Sequence, residues 1–197
     1  MDSHGNLFIA DAGNECIRRV DAATQVITTV AGTLAFGTPD GDGGPATSAS
    51  INDPVGVAVD RQGDLFIADV GSGSVRRVDG ASGIITTVAG GGSGGDGGAA
   101  TSAVLIYPAG IAIDNSGTVF TAENNRIRRV DAAAGIITTA AGNGVAGYSG
   151  DGGSAVPTFM MMEVLVLGSR RLKALATPRL IRVLGAHENP LAGRGGP

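Results

Sequence analysis

Short apolar runs alternate with turn-forming residues along the first four fifths of this chain. In the most regular stretch, which covers residues 54–90, four apolar runs occupy residues 55–59, 65–68, 75–78 and 84–88. The segments between these runs are rich in Asp, Gly and Ser, which are typical turn residues. Before residue 157 no window shows a sustained helical period of apolar residues. The pattern therefore predicts an antiparallel meander of four short strands.

The same stretch of sequence occurs three times. The segment that begins at Asp2 recurs at Asp60 and, with several changes, at Asp114, so the spacing is 58 residues and then 54. Each copy continues into Arg-Arg-Val-Asp and then into a Thr-Thr pair with a closing Ala-Gly. Repeats of this size that are built from short strands predict stacked units, each of which buries its apolar faces against its neighbours.

The first two apolar runs of the complete second copy are apolar on both faces. A sheet with one face in water would have a polar residue at every second position, so these strands are expected to lie between neighbouring sheets. Small residues in the first run would allow close packing around a central axis, and they are Gly56, Ala58, Gly110 and Ala112. Together these features predict an all-β fold made of β-propeller blades.

Several recurring segments resemble a known family. Residues 124–131, Asn-Asn-Arg-Ile-Arg-Arg-Val-Asp, together with the Leu-Phe-Ile-Ala-Asp segments, resemble the NHL-repeat propellers. The linking segment Gly-Asp-Gly-Gly-Pro-Ala-Thr at residues 41–47 recurs at 95–101 with Ala99 in place of Pro45, and it resembles the teneurin-type and bacterial extracellular members. The resemblance covers residues 1–156. It implies a binding or scaffold domain, commonly six-bladed, that is part of a longer exported chain in an extracellular or periplasmic location.

Only part of a propeller is present. The chain holds two complete copies and a first copy that lacks most of its first strand, because Met1 occupies the position of Val59 and Ile113. We therefore expect an incomplete NHL-type propeller of about two and a half to three four-stranded blades at residues 1–156, whereas closed propellers have about four to eight. Open strand edges and exposed apolar faces predict that the isolated chain self-associates.

The composition changes after residue 156. Pro54 and Pro108 each follow their loop aspartate by twelve residues, but the corresponding position holds Glu163. Residues 157–197 form an atypical basic tail of net charge +4, which we expect to be irregular or partly helical. Three origins remain open: a frameshift or fusion, a decayed fourth blade with its inner strand at 164–167, and a basic amphipathic helix for a membrane surface or a partner.

Charge and composition argue against several classes of partner. Residues 1–156 have a net charge of −8, which is unsuited to a surface that binds nucleic-acid phosphates. Aromatic residues make up 4% of the chain and tryptophan is absent, so stacking platforms are scarce. The apolar stretch at residues 159–167 is too short to cross a bilayer. We predict no nucleic-acid and no membrane partner, and we expect the single cysteine, Cys16, to be a small buried thiol.

The Gly-Asp-Gly-Gly loop offers the strongest candidate constellation, because it places Asp42, Asp96 and Asp151 at equivalent positions. Calcium needs six or more oxygen ligands, and the second and third loops offer one carboxylate each, so no metal site is predicted. We interpret the loop as a flexible turn in which the aspartate bonds its own backbone. The three aspartates remain the candidate binding residues of this chain.

Pairs of adjacent arginines recur in register, and they are Arg18 and Arg19, Arg76 and Arg77, and Arg128 and Arg129. Adjacent strand residues point to opposite faces, so each pair directs one guanidinium to each side. One member is expected to reach an acidic group on a neighbouring blade, for which Asp11, Asp69 and Glu123 are candidates. The alternative is an exposed stripe of arginines that binds an anionic ligand.

No catalytic machinery is visible in the sequence. His4 lies in a predicted hairpin turn and His187 in the tail, and neither belongs to a cluster with metal-ligand spacing. No nucleophile elbow, phosphate loop or Cys-His pair is present. We expect a non-enzymatic binding or scaffold segment with no cofactor, whose partner is a protein or the remaining propeller blades. Two alternatives are a fragment of a propeller lyase or lactonase with its catalytic residues in the missing blades, and the extracellular sensor propeller of a receptor.

Overall fold

The computed structural model describes residues 1–33, 40–147 and 150–156, and the predictions for the tail at 157–197 lie outside this part. The described part is all-β, as predicted, apart from three short 3₁₀ turns at Ala12–Asn14, Ala46–Ser48 and Ala100–Ser102. The strands are β1 Leu7–Asp11, β2 Cys16–Val20, β3 Ile27–Ala31, β4 Pro54–Val59, β5 Leu65–Asp69, β6 Ser74–Val78, β7 Ile85–Gly90, β8 Gly110–Ile113, β9 Val119–Glu123, β10 Arg126–Val130 and β11 Ile137–Ala141.

These strands form three antiparallel meanders, one for each copy of the repeat. Sheet 1 has the order β1-β2-β3, sheet 2 has β4-β5-β6-β7, and sheet 3 has β8-β9-β10-β11. Sheet 1 has three strands among the described residues, since no strand is described before β1. The predicted incomplete propeller, with two complete blades and one partial blade, is confirmed for the described residues.

The strand limits in sheet 2 differ slightly from those expected. β5 extends to Asp69 and β6 begins at Ser74 because these two residues pair at the end of their hairpin. The fourth strand begins at Ile85, since Ile84 forms an isolated bridge with Pro45 of the linking loop. The small differences thus arise from pairing partners that the apolar pattern does not show.

Strand β5 is buried along its whole length, which confirms that it lies between neighbouring sheets. Its residues alternate between two apolar clusters. Leu65 and Ile67 belong to the cluster that also contains Ile17 of sheet 1, whereas Phe66 belongs to the cluster that contains Ile111 of sheet 3. Both faces of sheet 2 are therefore covered by the adjacent sheets.

Inner strands β4 and β8 approach each other closely, as the small residues in them predict. A Cβ atom built on Gly56 would overlap the backbone oxygen of Ala109 and lie 3.3 Å from both Ala68 Cβ and Ile111 Cγ2. The absence of a side chain at Gly56 thus permits this approach.

Sheet 1 exposes apolar side chains to solvent, as expected for the end sheet of an incomplete propeller. Leu7 and Ile9 of β1 are exposed, although their equivalents Leu65 and Ile67 are buried in sheet 2. Cys16 is buried and unpaired by any disulfide, as predicted. Among the described residues no helix has the length and apolarity needed to cross a membrane.

Candidate functional site

Each linking loop lies along the outer strand of the sheet that follows it. The Gly43 N–H donates to the Ile85 oxygen, and the Ile85 N–H donates to the Gly44 oxygen. Gly97 and Gly98 form the same pair of hydrogen bonds with Ile137 in sheet 3. The Gly-Asp-Gly-Gly segment forms a turn, as predicted, in which the Gly44 N–H donates to the Gly41 oxygen, and it also extends the sheet at its outer edge. We call such a segment a clasp: residues 41–46 for sheet 2 and residues 95–100 for sheet 3.

The clasp aspartate joins the loop to the next sheet. Asp42 Oδ2 accepts the Thr87 N–H at 2.8 Å, and Asp42 Oδ1 accepts a hydrogen bond from the Arg76 guanidinium at 2.6 Å. The aspartate therefore does not bond its own backbone, because the N–H groups at the open edge of the outer strand need acceptors.

Asp96 repeats the arrangement on sheet 3. Its carboxylate accepts the Thr139 N–H at 2.9 Å and a hydrogen bond from the Arg128 guanidinium at 2.6 Å. Two independent copies of the sequence thus form the same contact, which identifies it as a property of the repeat.

The clasp arginine has a second carboxylate on the adjacent strand of its own sheet. Arg128 donates to Glu123 at 2.6 Å, while Arg76 lies 3.9 Å from Asp69. The expectation of an acid on a neighbouring blade is wrong for this contact. Glu123 pairs with Arg126 in the hairpin register, so Arg128, two residues further on, lies on the same face as Glu123.

The other arginine of each pair points to the opposite face, as predicted, and is partly exposed. Arg19 and Arg129 lie 2.8 Å from Asp21 and Asp131 respectively, and Arg77 pairs with Asp64 and Asp79. These arginines therefore have carboxylate partners within their own sheet. The alternative of an exposed arginine stripe that binds an anion gains no support from this geometry.

The clasp contacts alter the pKa values of the clasp aspartates. Burial raises the pKa of Asp42, but hydrogen bonds from Thr87 and the charge of Arg76 outweigh it, so the pKa lies below its ordinary value. The pKa of Asp96 is lowered in the same way, by Thr139 and Arg128 acting against burial. Burial has the opposite outcome at Asp69, where it raises the pKa despite hydrogen bonds from Ser72 and Asn52.

Acid is therefore expected to weaken the clasps. A carboxyl whose pKa is lowered by folding stabilises the native state above its unfolded pKa, about 3.9, and this contribution is lost as the pH falls through the native pKa. We expect the free energy of unfolding, measured by urea titration, to decrease below about pH 4. Asp42→Asn should be less stable at neutral pH and should lose less on acidification, because its amide does not titrate. An equal acid-induced loss in both proteins would contradict this account.

Glu15 has a structural role that the repeat pattern does not predict. It adopts a left-handed backbone conformation with φ of 54°, is buried, and accepts the Asp53 N–H through its carboxylate. Gly73 and Asn125, at the equivalent positions, share this conformation. Glycine and asparagine favour left-handed backbone, so the sequence indicated a tight turn at this position of the repeat. It did not indicate the hydrogen bond between Asp53 and Glu15.

Sheet 3 contains a cleft of about 410 Å³ beside the Asp96 clasp. Val104, Ile106 and Val156 supply apolar parts of its wall. Arg126, which takes the position held by Ser74 in sheet 2, also lines it and donates to the Asn143 oxygen at 3.1 Å. Arg126 forms no ion pair with any residue that the structure describes. In the sequence, Arg126 could have been recognised as a candidate binding residue because the repeat changes to arginine at this one position.

The three candidate aspartates do not converge on one site. Asp42 and Asp96 serve separate sheets, and Asp151 is exposed on the loop that follows β11. Of these, Asp96 alone lines the cleft. Within the described ranges no group of three or more His, Cys, Asp or Glu residues is arranged to hold a metal ion.

The chain matches a known family model. The family model described as the teneurin NHL domain matches residues 38–94 and 91–151, which together cover more than half of the chain. Both matched segments begin near a clasp loop and continue through the sheet that the loop borders.

Individual relatives share shorter or more distant similarity. The chloroplastic protein Suppressor of Quenching 1 of Arabidopsis thaliana is 32% identical over 75 residues, which are 38% of this chain and 7% of that protein. A structural genomics protein of unknown function from Bacteroides thetaiotaomicron has a TM-score of 0.56 and 23% identity, over 63% of this chain and 32% of that chain. An auxiliary nutrient binding protein from Bacteroides ovatus has a TM-score of 0.51 and 24% identity, over 68% and 35%. This chain thus spans about a third of these solved structures and a small part of the plant protein.

Proposed function

The chain belongs to the teneurin NHL domain family, and from this premise we propose that it is a non-enzymatic binding or scaffold segment of an NHL-repeat propeller. The observation that supports a binding role is the cleft on sheet 3, which combines an apolar wall with the Arg126 guanidinium. An extracellular or periplasmic location, which rests on the family resemblance, is part of the same proposal.

The ionisable groups around the cleft favour binding over catalysis. Arg128 is buried between Glu123 and Asp96, with both distances at 2.6 Å. Despite burial, which raises the pKa of Asp96, hydrogen bonds from Thr139 and the charge of Arg128 hold this pKa below its ordinary value, so Asp96 is a poor general acid or base near neutral pH. Arg126 has no such carboxylate partner among the described residues, so its guanidinium offers donors to a ligand.

The cleft chemistry indicates the class of ligand. Arg126 can donate two parallel hydrogen bonds to a carboxylate, and Val104 and Ile106 can contact an apolar side chain. Asp96 and Glu123 would repel a strongly acidic ligand even though Arg128 neutralises part of their charge. We therefore propose a short peptide segment with one carboxylate next to an apolar residue.

Substitution of Arg126 tests this assignment. A library of short fluorescent peptides that end in an apolar residue with a free carboxylate would be titrated by fluorescence anisotropy. Arg126→Ala should weaken binding about tenfold or more, the effect of losing a charged hydrogen bond. Arg61→Ala removes an exposed turn arginine and should leave affinity unchanged. Equal affinities for the parent chain and Arg126→Ala, or binding by no peptide, would contradict the assignment.

The alternative of a lyase or lactonase fragment makes different predictions. Assays on ester, lactone and peptide substrates, together with metal analysis of the purified chain, should give results at background for a binding segment. Turnover above background that depends on a bound metal would favour the enzyme alternative.

A further inference from the structure

The loops that lead into the inner strands of sheets 2 and 3 share an unusual backbone. Asp53 and Tyr107 each precede a proline, and their φ angles are 51° and 54°. A residue with a side chain rarely adopts this left-handed conformation, least of all before proline. In both loops the N–H of the preceding residue donates to a carboxylate at the end of the second strand of the same sheet. The two loops therefore present equivalent backbone donors.

In the first of these loops the backbone binds a carboxylate from the neighbouring sheet. Glu15, in the hairpin between β1 and β2, is buried and accepts the Asp53 N–H. Successive backbone N–H groups in a turn can form a concave site for an anion. The first loop thus shows which chemical group fits this site, and it is a carboxylate at the end of a short aliphatic chain.

The second loop has the same donor, but the neighbouring sheet supplies no side chain to it. Gly73 of sheet 2 takes the position of Glu15, with φ of 60° compared with 54°. A Cβ atom built on Gly73 would lie 2.9 Å from the Leu105 oxygen, so this hairpin lies directly beside the second loop. Within the described ranges the Tyr107 N–H donates to no acceptor. Glycine at residue 73 therefore leaves unused the donor that Glu15 engages in the first loop.

A second difference between the two loops acts in the same direction. Asp53 carries a charge of the same sign as the Glu15 carboxylate that its N–H binds, whereas Tyr107 is neutral. Tyr107 is also 66% exposed, so solutes can reach it. A neutral residue reduces the repulsion that an incoming carboxylate meets, and an aromatic ring offers apolar surface. The second loop is therefore better suited than the first to a carboxylate from outside the chain.

Two carboxylates can bind next to each other on a loop of this kind. In the first loop Asp69 and Glu15 accept hydrogen bonds from two successive N–H groups. Glu123, which replaces Asp69 in the second loop, lies 2.6 Å from Arg128, so part of its charge is neutralised. A carboxylate at Tyr107 would thus repeat an arrangement that the first loop already contains.

We propose that the Tyr107 N–H binds the carboxylate of a ligand, which takes the place that Glu15 takes at Asp53. An apolar part of the ligand would contact the Tyr107 ring. Two sources supply this chemistry, namely the terminal carboxylate of a peptide and the side chain of an aspartate or glutamate on a partner protein. The donor is a backbone N–H and not the Arg126 guanidinium, so the proposal does not depend on the function assigned to the cleft.

Amide-resolved NMR spectroscopy of the full 197-residue chain tests the site, with sodium acetate as the probe and sodium chloride at equal ionic strength as the reference. The Tyr107 amide proton should shift downfield and the shift should saturate, because the N–H gains a charged acceptor. The Asp53 amide should not respond, since Glu15 already binds it. A Tyr107 amide that does not respond, or that responds no more than the Asp53 amide, would overturn the proposal.

Two variants exchange the features of the loops. Glu15→Gly gives the first loop the glycine of the second, and glycine fits the left-handed backbone at residue 15. Acetate should then shift the Asp53 amide as well. Tyr107→Asp is an exposed substitution that gives the second loop the charge of the first, and it should raise the acetate dissociation constant about threefold or more. A folded Glu15→Gly chain whose Asp53 amide does not respond, or Tyr107→Asp with the affinity of the parent, would contradict the proposal.

Two short peptides identify the source of the carboxylate. One ends in phenylalanine with a free carboxylate, and the other is amidated at that end and contains an internal glutamate. The peptide that shifts the Tyr107 amide at the lower concentration identifies the source, while no shift from either would overturn the proposal. Arg126→Ala should leave the acetate response of Tyr107 unchanged, so a failure of the cleft assignment leaves this site intact. Loss of the response in Arg126→Ala would place acetate in the cleft and overturn the proposal.

Discussion

Arg128→Met is expected to lower the free energy of unfolding by about 3–5 kcal/mol, the usual effect of removing one partner from a buried ion pair. Arg128 is 4% exposed and Glu123 is 2% exposed, so the variant would leave the Glu123 carboxylate buried without its counter-charge. It would also remove the guanidinium that holds the Asp96 clasp against sheet 3. Urea unfolding followed by circular dichroism measures the difference.

The adjacent arginine provides a matched control. Arg129 has the same side chain on the same strand, but it is 39% exposed and pairs with the partly exposed Asp131. Arg129→Met should therefore cost less than about 1 kcal/mol. Adding Glu123→Gln to Arg128→Met should restore part of the lost stability, because the buried charge is removed. Equal losses for Arg128→Met and Arg129→Met would show that burial does not determine the effect.

Gly56→Ala is expected to destabilise the chain by about 1–3 kcal/mol or more, the range for overpacking in a well-packed region. The added methyl group would overlap the Ala109 backbone oxygen, which has no rotamer that could relieve the clash. Relief would require separation of β4 from β8, and thus of sheet 2 from sheet 3. Thermal unfolding measures the change.

Gly13→Ala is the matched control for this substitution. A methyl group added at Gly13, in the short turn after β1, would meet no neighbouring atom within 4 Å. Gly13 does not have a positive φ, so alanine can adopt its backbone conformation and should leave the stability unchanged or slightly raised. A Gly56→Ala variant as stable as Gly13→Ala would contradict the close approach of the inner strands.

The repeated apolar pattern was sufficient to predict the strands and their arrangement. Burial of both faces of β5 followed from the absence of polar residues at alternate positions, and the small size of Gly56 indicated the close approach of the inner strands. Such features are local consequences of side-chain type and strand period, so they can be read without coordinates.

The clasp could not be predicted in the same way. Asp42 and Arg76 are 34 residues apart, and nothing in either local sequence indicates that the loop returns along the outer strand of the following sheet. The sequence around Asp42 indicates backbone donors within its own turn, whereas its partners Arg76 and Thr87 lie on the following sheet. The cleft residue Arg126 was similarly not selected, because its surroundings are assembled from the loop before β8 and the segment after β11.

The sequence by itself determined the all-β class, the number of repeats, the missing first strand and the opposite directions of the paired arginines, because each depends on periodicity within a few residues. The tertiary structure alone decided which arginine is buried, which carboxylate it meets and which strand edge each loop covers. Those contacts depend on the packing of one repeat against the next, where distant backbone donors and buried charges must find partners.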